Sequence, residues 1–429
     1  MSLHDLRSRI PFGMGTVALI GAALLALTGG LVLWGSPSEQ YTAGDGGLRH
    51  YSSEPATAWT VEDSTLPGYA GTGQITVEDH HGDDWLVSYP SGYGRSFLLI
   101  DAANGTQQWS EPVRAGLGDC GLDDDGRAGC AVKLGSAPDG FYLADGTGAL
   151  TRVGDLHDTA HVYGFGHDFL RVNQVGYQVG LYDAAGSAKW TRTFAAAATP
   201  HVNDGMLVIA TADGSSSIVD PATGADQRTC TQCRMQVYPH GVLEVHEGLG
   251  QEAVITHSRD GARVGPATRT AKSLAPVPGP STLPVLTGAG EGQVMIDDGH
   301  YEIVDPGSGT ALWQIGDPQL SKANTRPCGE TVAFARKDRS RVFFALADGT
   351  RLGSMPPPDI EDPDSNLDLL QCVGASGETA VFANRDALTA YDTKAGKVAW
   401  TLPINGTAQA IDGYLVLTQG TSLSVLRPH

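Results

Sequence analysis

The sequence has little positive charge and no run of basic residues. Its 429 residues contain 28 Lys and Arg against 48 Asp and Glu, which gives a formal net charge of −20. A nucleic acid is itself a polyanion and would be repelled by such a chain, so we expect no nucleic-acid partner. Acidic surface charge of this kind is typical of an exported domain that stays soluble.

Motifs of common catalytic sites are also missing. There is no Gly-x-Ser-x-Gly elbow, no phosphate-binding glycine loop and no His-Glu-x-x-His helix. Beyond the N-terminus no segment keeps a 3.6-residue hydrophobic period, which argues against long helices. Aromatic residues make up only 7%, whereas glycine is abundant at 56 residues. This composition favours many short strands joined by tight turns.

One long apolar run stands at the N-terminus. Residues 13–34 carry no charged side chain, and at about 1.5 Å per residue they span about 33 Å, enough for a hydrocarbon core of about 30 Å. Arg7 and Arg9 precede the run and acidic residues follow it. The positive-inside rule therefore predicts a single-pass signal anchor in the cell membrane, with residues 1–12 in the cytoplasm and the C-terminal domain outside. A signal peptide cleaved near Gly30 is the alternative.

The segment after the anchor is rich in Ser, Gly and Pro and has no apolar periodicity. We interpret residues 35–54 as a flexible linker to a domain at residues 55–429. No cysteine ends the apolar run, so a lipid anchor is not expected.

Six cysteines fit an extracytoplasmic domain with three disulfides, for which the sequence allows fifteen connectivities. Local spacing favours one pair across a hairpin and one pair in a tight loop. The remaining two cysteines occupy near-equivalent places in consecutive repeats, before Gly-Glu-Thr. The predicted pairs are Cys120 with Cys130, Cys230 with Cys233, and Cys328 with Cys372.

A motif recurs from position 98 to the C-terminus, and it predicts the fold. A short apolar run ends in Asp, a Gly follows within one to four residues, and a Trp often comes four residues later. Taking the Asp as the marker, the gaps between copies are 44, 38, 37, 40, 45, 43 and 44 residues. Each gap is long enough for a four-stranded blade of a β-propeller. The markers are Asp101, Asp145, Asp183, Asp220, Asp260, Asp305, Asp348 and Asp392.

The motif residues have a structural explanation. Asp accepts hydrogen bonds from backbone amides two residues on, Gly supplies a left-handed backbone position, and a Trp is large enough to fill the wedge between blades. We therefore assign these residues to the scaffold rather than to chemistry. The best copies are Asp101/Gly105/Trp109, Asp305/Gly309/Trp313 and Asp392/Gly396/Trp400, and a shorter copy has Asp183 and Trp190.

The two ends of the domain complement each other. Residues 421–426 look like a third strand with no fourth, and residues 56–61, which include Trp59, look like a fourth strand with no predecessor. Pairing them closes the ring and removes two exposed sheet edges. Eight turn motifs and the closing blade give a literal count of nine, but the Asp260 copy is weak. The fold class we predict is therefore all-β, a propeller of eight four-stranded blades, with nine as the alternative.

The repeated Asp, Gly and Trp resemble the repeat of the PQQ-like (quinoprotein-like) β-propellers, over about residues 55–429. This family includes quinoprotein alcohol dehydrogenases and the propeller subunit of the outer-membrane β-barrel assembly machinery. The resemblance implies the fold, but both enzymes and non-catalytic scaffolds share it. In the enzymes, PQQ binds in the central funnel beside Ca²⁺, often under a disulfide of adjacent cysteines. This chain has no adjacent cysteines and no recognisable set of calcium ligands, so we expect no cofactor, with PQQ and Ca²⁺ as the open alternative.

Three weaker patterns suggest chemistry. Three histidines that lie among aspartates are candidate metal ligands, namely His157, His161 and His167. The alternative interpretation is that they are ordinary residues of loops and blade rims. Residues 123–126 (Asp-Asp-Asp-Gly) are similar to the start of a calcium-binding loop. Such a loop has a glutamate at its twelfth position, which here is Leu134. The alternative interpretation is a charged hairpin turn. Cys230 and Cys233 have Cys-x-x-Cys spacing, for which we favour a structural disulfide over a redox pair.

The sequence thus predicts no active site. We expect a non-catalytic, membrane-anchored propeller of the bacterial cell envelope that binds other envelope proteins. A sensor holding a small ligand in the central channel and a diverged PQQ-dependent oxidoreductase are the alternatives.

Overall fold

The computed structural model describes residues 46–203, 205–246, 254–265, 274–288, 298–321, 324–358 and 367–428. Strands dominate these ranges, with 3-10 helices at Asp63–Thr65 and Leu367–Leu369. No helix within the ranges has the length and apolarity of a membrane span. The predicted cytoplasmic segment and anchor, residues 1–12 and 13–34, lie outside the described residues.

The described strands form nine antiparallel sheets of four strands, and each sheet is one blade. Strands are numbered along the chain, and blades are numbered from the first sheet that is continuous in sequence. Blade 1 contains β2 Thr76–His81, β3 Asp84–Ser91, β4 Gly94–Asp101 and β5 Val113–Gly116. Blade 2 contains β6 Cys120–Leu122, β7 Ala128–Val132, β8 Gly140–Ala144 and β9 Leu150–Arg152. Blade 3 contains β10 Thr159–Phe165, β11 Asp168–Asn173, β12 Gln178–Tyr182 and β13 Ala188–Thr193.

The next three blades follow the same order. Blade 4 contains β14 Ala198–Asn203, β15 Met206–Thr211, β16 Ser215–Val219 and β17 Asp226–Thr231. Blade 5 contains β18 Cys233–Tyr238, β19 Gly241–His246, β20 Val254–Ser258 and β21 Arg263–Val264. Blade 6 contains β22 Ala275–Pro276, β23 Val285–Thr287, β24 Asp298–Val304 and β25 Ala311–Ser321.

The last three blades bring the chain back to its beginning. Blade 7 contains β26 Arg326–Cys328, β27 Thr331–Ala335, β28 Arg341–Ala345 and β29 Arg351–Met355. Blade 8 contains β30 Gln371–Ser376, β31 Thr379–Ala383, β32 Ala387–Asp392 and β33 Lys397–Pro403. Blade 9 contains β34 Gly406–Ile411, β35 Tyr414–Gln419, β36 Ser422–Arg427 and, as its fourth strand, β1 Ala56–Glu62.

Blade 9 closes the ring in the way that the sequence predicts. β1 pairs antiparallel with β36, with Trp59 opposite Val425 and Glu62 opposite Ser422. One sheet thus joins residues from both ends of the domain, and the free edge of β36 is covered by β1.

The prediction of eight blades is wrong, and the alternative of nine is correct. The Asp260 copy, which looked weakest, ends the third strand of a separate blade, blade 5. The closing blade adds a ninth sheet without a motif of its own, because no turn connects β36 to β1.

Burial explains why the strands have these sequences. The second strands β7, β27 and β31 are buried at every position, because neighbouring blades cover both faces of a sheet. The fourth strand lies at the outer edge, and in β13 every side chain except that of Trp190 is therefore exposed or half-buried. Long runs of Val, Ala and Phe thus belong to strands inside a blade.

A named contact bridges every junction between neighbouring blades. Tryptophan, carboxylate, disulfide and close backbone contacts all contribute. From blade 9 to blade 1 and onward round the ring they are Trp59 to Ala102, Asp79 to Leu122, Asp119 to Val162, Trp190 to Pro221, Arg228 to Glu244, Gly265 against Gly309, Trp313 to Leu346, Cys328 to Cys372, and Trp400 to Tyr51.

The two faces of the propeller carry different connections. The upper face holds the turns after the first and third strands, such as residues 82–83 and 102–112 in blade 1. The lower face holds the turns after the second strands and the links between blades, such as residues 92–93 and 117–119. All the repeat aspartates lie at the upper face.

The last part of the predicted linker is not a free tether. Leu48 and Tyr51 are 2% and 1% exposed, and the Leu48 amide donates to the Ala375 carbonyl at 3.0 Å. The Tyr51 hydroxyl donates to the Leu426 carbonyl at 2.7 Å. Because these side chains are buried against blades 8 and 9, residues 46–54 belong to the propeller, and the chain joins it at the upper face. Residues 35–45 lie outside the described residues.

Candidate functional site

The repeat aspartates cap the turns at the upper face. Each of the eight markers accepts a hydrogen bond from the amide two residues on, as Asp101 does from Ala103 at 2.7 Å. At Asp145 the hydroxyl and amide of Thr147 hold the pKa of the carboxyl below its usual range. The corresponding amides for Asp183, Asp220, Asp260, Asp305, Asp348 and Asp392 are those of Ala185, Ala222, Ala262, Gly307, Thr350 and Lys394.

The tryptophans dock on the turns of the next blade. The indole N–H of Trp59 donates to the Ala102 carbonyl at 2.8 Å, and a Cβ added at Gly105 would lie 2.7 Å from the Trp59 ring. The same arrangement joins Trp190 to Pro221 and Gly224, and Trp313 to Leu346 and Gly349. These residues hold blades together, and their side chains are committed to the scaffold.

Gly396 differs from Gly105, although the sequence places both in full copies of the motif. Its φ of 66° is left-handed, as the motif predicts, and its amide donates to the Asp392 carbonyl at 2.9 Å. No tryptophan ring lies against it, because the preceding blade carries none at the motif position. A Cβ added at Gly396 would instead overlap the carbonyl oxygen of Ser354, on β29 of blade 7. The wedge-filling interpretation of the motif therefore needs a correction here, since Gly396 permits a backbone contact between blades 7 and 8.

The other two motif tryptophans have different surroundings. The indole N–H of Trp400 donates to the Tyr51 carbonyl at 2.8 Å, because blade 9 has no motif turn to receive it. Trp109 precedes β5 rather than lying on it and is 3% exposed, and its Cβ lies 3.3 Å from a Cβ added at Gly148 of blade 2.

The three candidate metal histidines do not converge. His157 precedes β10 and His167 follows it, so they stand at opposite ends of one strand. Each imidazole faces a different carboxylate: His161 contacts Asp119 at 2.7 Å and His167 contacts Asp125 at 3.0 Å. The bond to Asp119 raises the pKa of His161, against the opposing effect of burial. Within the ranges that the structure covers, no three His, Cys, Asp or Glu residues are placed to hold a metal ion.

The acidic segment after β6 forms a hairpin turn. Asp123 is buried and accepts the amides of Asp125 and Arg127 at 3.0 and 2.8 Å. Cys120 and Cys130 are opposite each other in the same hairpin and form a disulfide. This geometry agrees with the charged-turn reading of the sequence.

The other two disulfides link neighbouring blades. Cys230 ends blade 4 and Cys233 begins blade 5, with Gln232 between them at a φ of 53°. Cys328 and Cys372 lie on the innermost strands of blades 7 and 8, in equivalent places of consecutive repeats.

A cavity of about 1040 Å³ occupies the centre of the ring. Innermost strands of several blades and Gly46 line it, and its described polar side chains lie on blades 1 to 4 and on blade 9. Asp79 is held there by the amides of Leu122 and His80, while burial raises its pKa. The polar side chains on the wall are Glu78, Asp79, His80, His81, Asp124, Tyr163, His201 and Gln409.

This lining does not fit PQQ with Ca²⁺. PQQ is a tricarboxylate, and the described cavity wall contains no Lys or Arg to bind it. Glu78 already faces Arg95 at 3.3 Å, and the oxygens of Asp79 accept backbone amides. The described wall therefore lacks both the basic side chains that would bind the PQQ carboxylates and a set of unengaged carboxylates that would bind Ca²⁺.

A buried ionic cluster, which the sequence did not predict, lies between blades 4 and 5. Glu244 is fully buried and accepts hydrogen bonds from Arg228 Nε at 3.1 Å, His246 Nε2 at 2.5 Å and His257 Nε2 at 2.7 Å. Burial alone would raise the pKa of Glu244, but the bonds from His257, Arg228 and His246 lower it to about 2. Arg228 occupies the position where other copies of the motif have Trp, so the sequence indicates that this junction differs. No motif in the sequence marks its partner Glu244.

Exposed apolar side chains concentrate on the lower face of blades 1 to 3. Of the eight large apolar side chains that are exposed among the described residues, five lie there. The turn after β3, the link after β5, and the turns after β7 and β11 carry them. They are Tyr93, Leu117, Leu134, Val175 and Tyr177, which we call the apolar patch.

A cleft of about 290 Å³ opens within this patch, between blades 1 and 2. Tyr93 and Leu134 flank it and are 95% and 69% exposed. Arg114 lies in the same wall, and the rest of the lining is small: Gly68, Ser91, Gly92, Gly116, Gly135 and Ser136. The sequence does contain a pattern that could have indicated this cleft. In two turns a large apolar residue stands beside glycine, as in Gly92-Tyr93-Gly94 and Leu134-Gly135.

No protein-family model and no curated protein matches this chain. Among solved structures, the crystal structure of BamB from Moraxella catarrhalis is similar, with a TM-score of 0.41 and 16% identity over 87% of this chain and 98% of that chain. The computationally designed Ika8 protein is also similar, with a TM-score of 0.39 and 14% identity over 83% of this chain and 98% of that chain. The described residues themselves establish the nine-bladed all-β propeller.

Proposed function

We propose that this protein is a non-catalytic protein-interaction scaffold of the cell envelope, built on PQQ-like repeats. The observation that carries the proposal is the apolar patch, five exposed side chains on consecutive blades of one face. Clusters of exposed apolar residues on a soluble domain are typical of protein-binding surfaces. Loops on a rigid scaffold are also where such surfaces usually lie.

The assignment to PQQ-like repeats rests on the turns. The indole of one blade donates to the backbone of the next, and the motif glycine makes room for the ring at Gly105, Gly224 and Gly349. This geometry accounts for the spacing of Asp, Gly and Trp in the sequence, and it leaves those residues no catalytic task.

We further propose an extracytoplasmic location with a membrane anchor at residues 13–34. Three disulfides support an oxidising compartment. The described chain begins at Gly46, against Gly329 and Pro280 of the upper face. The apolar patch is on the opposite face, away from the point where the chain joins the propeller.

Site-specific photo-crosslinking of the full-length protein in its native membrane tests the scaffold. A photo-reactive amino acid at Val175, within the apolar patch, should capture a reproducible envelope protein. The same amino acid at Leu312, an exposed apolar position on β25 outside the patch, is the matched control. Equal capture at both positions, or capture at Leu312 alone, would contradict the proposal.

A small-ligand sensor is the second candidate, and the central cavity favours it. Its volume of about 1040 Å³ is in the range of small-molecule sites, and its described wall offers imidazoles and carboxylates as well as apolar contacts. A ligand that binds only the folded state raises the melting temperature, and the rise grows with the logarithm of the ligand concentration once this exceeds the dissociation constant. Thermal scans of the full chain with cationic metabolites test this candidate, and PQQ with Ca²⁺, which the described wall does not fit, is the comparison that should give no shift.

A further inference from the structure

We propose that the cleft between Tyr93 and Leu134 binds an extended peptide of a partner protein, one with an apolar side chain next to a carboxylate. This inference rests on the proposed scaffold function and identifies its contact point. The volume of about 290 Å³ lies at the lower limit of small-molecule sites. It suits one large side chain with its adjoining backbone rather than a cofactor.

The backbone of Leu134 is the strongest sign that the cleft has a function. Its φ is 56°, in the left-handed region that bulky side chains rarely adopt. Its side chain is 69% exposed, so packing within the chain does not offset that conformation. A strained residue that returns little to its own fold is most simply explained by a contact made to another molecule.

The surrounding backbone holds Leu134 in place. The Leu117 amide donates to the Lys133 carbonyl at 2.8 Å, and the Lys133 amide donates to the Ala115 carbonyl at 2.9 Å. The Ser136 amide donates to the Arg114 carbonyl at 3.0 Å, and the Leu134 amide donates to Asp139 Oδ1 at 3.0 Å. Bonds on both sides of Leu134 thus fix the loop of blade 2 to the end of β5. A preformed cleft loses little entropy when a peptide binds.

Glycine makes this close approach possible. A Cβ added at Gly116 would lie 2.2 Å from the Lys133 carbonyl oxygen, and one at Gly135 would lie 2.1 Å from the Arg114 carbonyl oxygen. The floor of the cleft is therefore formed by closely packed backbone of blades 1 and 2 rather than by side chains.

Charge specifies the ligand further. Arg114 is exposed and makes no ion pair with any residue that the structure describes. The chain as a whole carries a net charge of −20. The unpaired guanidinium of Arg114 therefore gives the cleft a positive charge on an acidic protein. The carboxylate of Asp139, which is nearby, already accepts the Leu134 amide. A carboxylate beside an apolar residue would complement Arg114 and the Tyr93–Leu134 pair together.

Selection of a random-peptide phage library on the full-length protein in detergent tests the proposal. Enriched peptides should share an apolar residue next to Asp, Glu or the free C-terminus. Synthetic copies should lose affinity by about tenfold with either Leu134→Gly or Arg114→Glu, and added salt should weaken binding. Leu134→Gly relieves the left-handed strain, so the variant should keep its melting temperature while losing the ligand.

Leu369→Ser is the matched control, because Leu369 is 61% exposed on the lower face between blades 7 and 8, away from the cleft. It should leave peptide affinity unchanged. Failure to enrich peptides, enrichment without acids, or equal affinity of the Leu134→Gly variant would overturn the proposal. So would binding to vesicles of anionic phospholipid in place of peptide, because that would assign the cleft to a membrane. If photo-crosslinking at Val175 still captures a partner, the scaffold function survives that failure.

Discussion

The contact between Trp59 and Gly105 can be tested with a pair of glycine substitutions. Gly105 has a φ of 75°, and a Cβ there would meet three atoms of the Trp59 ring at 2.7 to 2.9 Å. Gly82 has a φ of 56° and nothing within 4 Å of an added Cβ. An alanine in the left-handed region costs about 1–2 kcal/mol. Overpacking against a fixed ring adds about 1–3 kcal/mol.

Gly82→Ala should therefore lower the free energy of unfolding by about 1–2 kcal/mol, and Gly105→Ala by about 2–5 kcal/mol. The ring cannot move aside easily, since its N–H is bonded to Ala102 at 2.8 Å and the side chain is 8% exposed. Urea unfolding followed by circular dichroism measures both losses. In a Trp59→Ala background the extra loss at Gly105 should disappear. Equal losses for the two glycines in the wild-type background would refute the docking role of Trp59.

Two further predictions concern buried charge and disulfides. Glu244→Gln should lower stability at pH 7 by about 3 kcal/mol, because the folded pKa of about 2 lies below the ordinary value of 4.5. The stabilisation by ionised Glu244 is complete above about pH 4.5 and is lost as the pH falls toward 2. Urea unfolding at pH 3 should therefore show a smaller difference in stability between the wild type and the Glu244→Gln variant than at pH 7. A difference that does not depend on pH would contradict this role of Glu244. Replacing Cys328 and Cys372 by Ala should lower the free energy of unfolding by about 4 kcal/mol, and the same change at Cys230 and Cys233 by about 2 kcal/mol. The difference arises because the two disulfides have sequence separations of 44 and 3, so the longer loop loses more entropy in the unfolded chain. Calorimetry that finds the reverse order would refute this ranking.

Much of the fold follows from short-range patterns in the sequence. The turn residues Asp101, Asp305 and Asp392 mark blade boundaries because the Asx hydrogen bond and the following glycine are local. Ring closure was also predictable, since a lone fourth strand around Trp59 and a lone third strand at residues 421–426 complement each other. The number of blades was not, because the Asp260 copy has only an Asp-Gly pair and no Trp to show that it marks a separate blade.

Contacts that cross between blades were harder to predict. Arg228 in the place of Trp signalled a change at one junction, but its partner Glu244 lies on another blade with no local pattern to mark it. Gly396 likewise has the local sequence of Gly105, and only the neighbouring blade decides whether a ring or a backbone lies against it. Leu48 and Tyr51 looked like parts of a polar linker, because two apolar residues in a Ser- and Gly-rich segment show no periodicity. The assembled ring provides the surface that buries them.

The lower face is where this protein differs from its own repeat. Blades 1 to 8 use the upper face for the motif turn, so similar sequences recur there for reasons of stability. The turn after the second strand is free to vary: residues 92–93 suffice in blade 1, whereas residues 133–139 form the same connection in blade 2. That longer loop holds Leu134 exposed and in a left-handed conformation. Because the scaffold does not require this arrangement, selection for binding is its best explanation, and function in this propeller should be sought where the repeat is least regular.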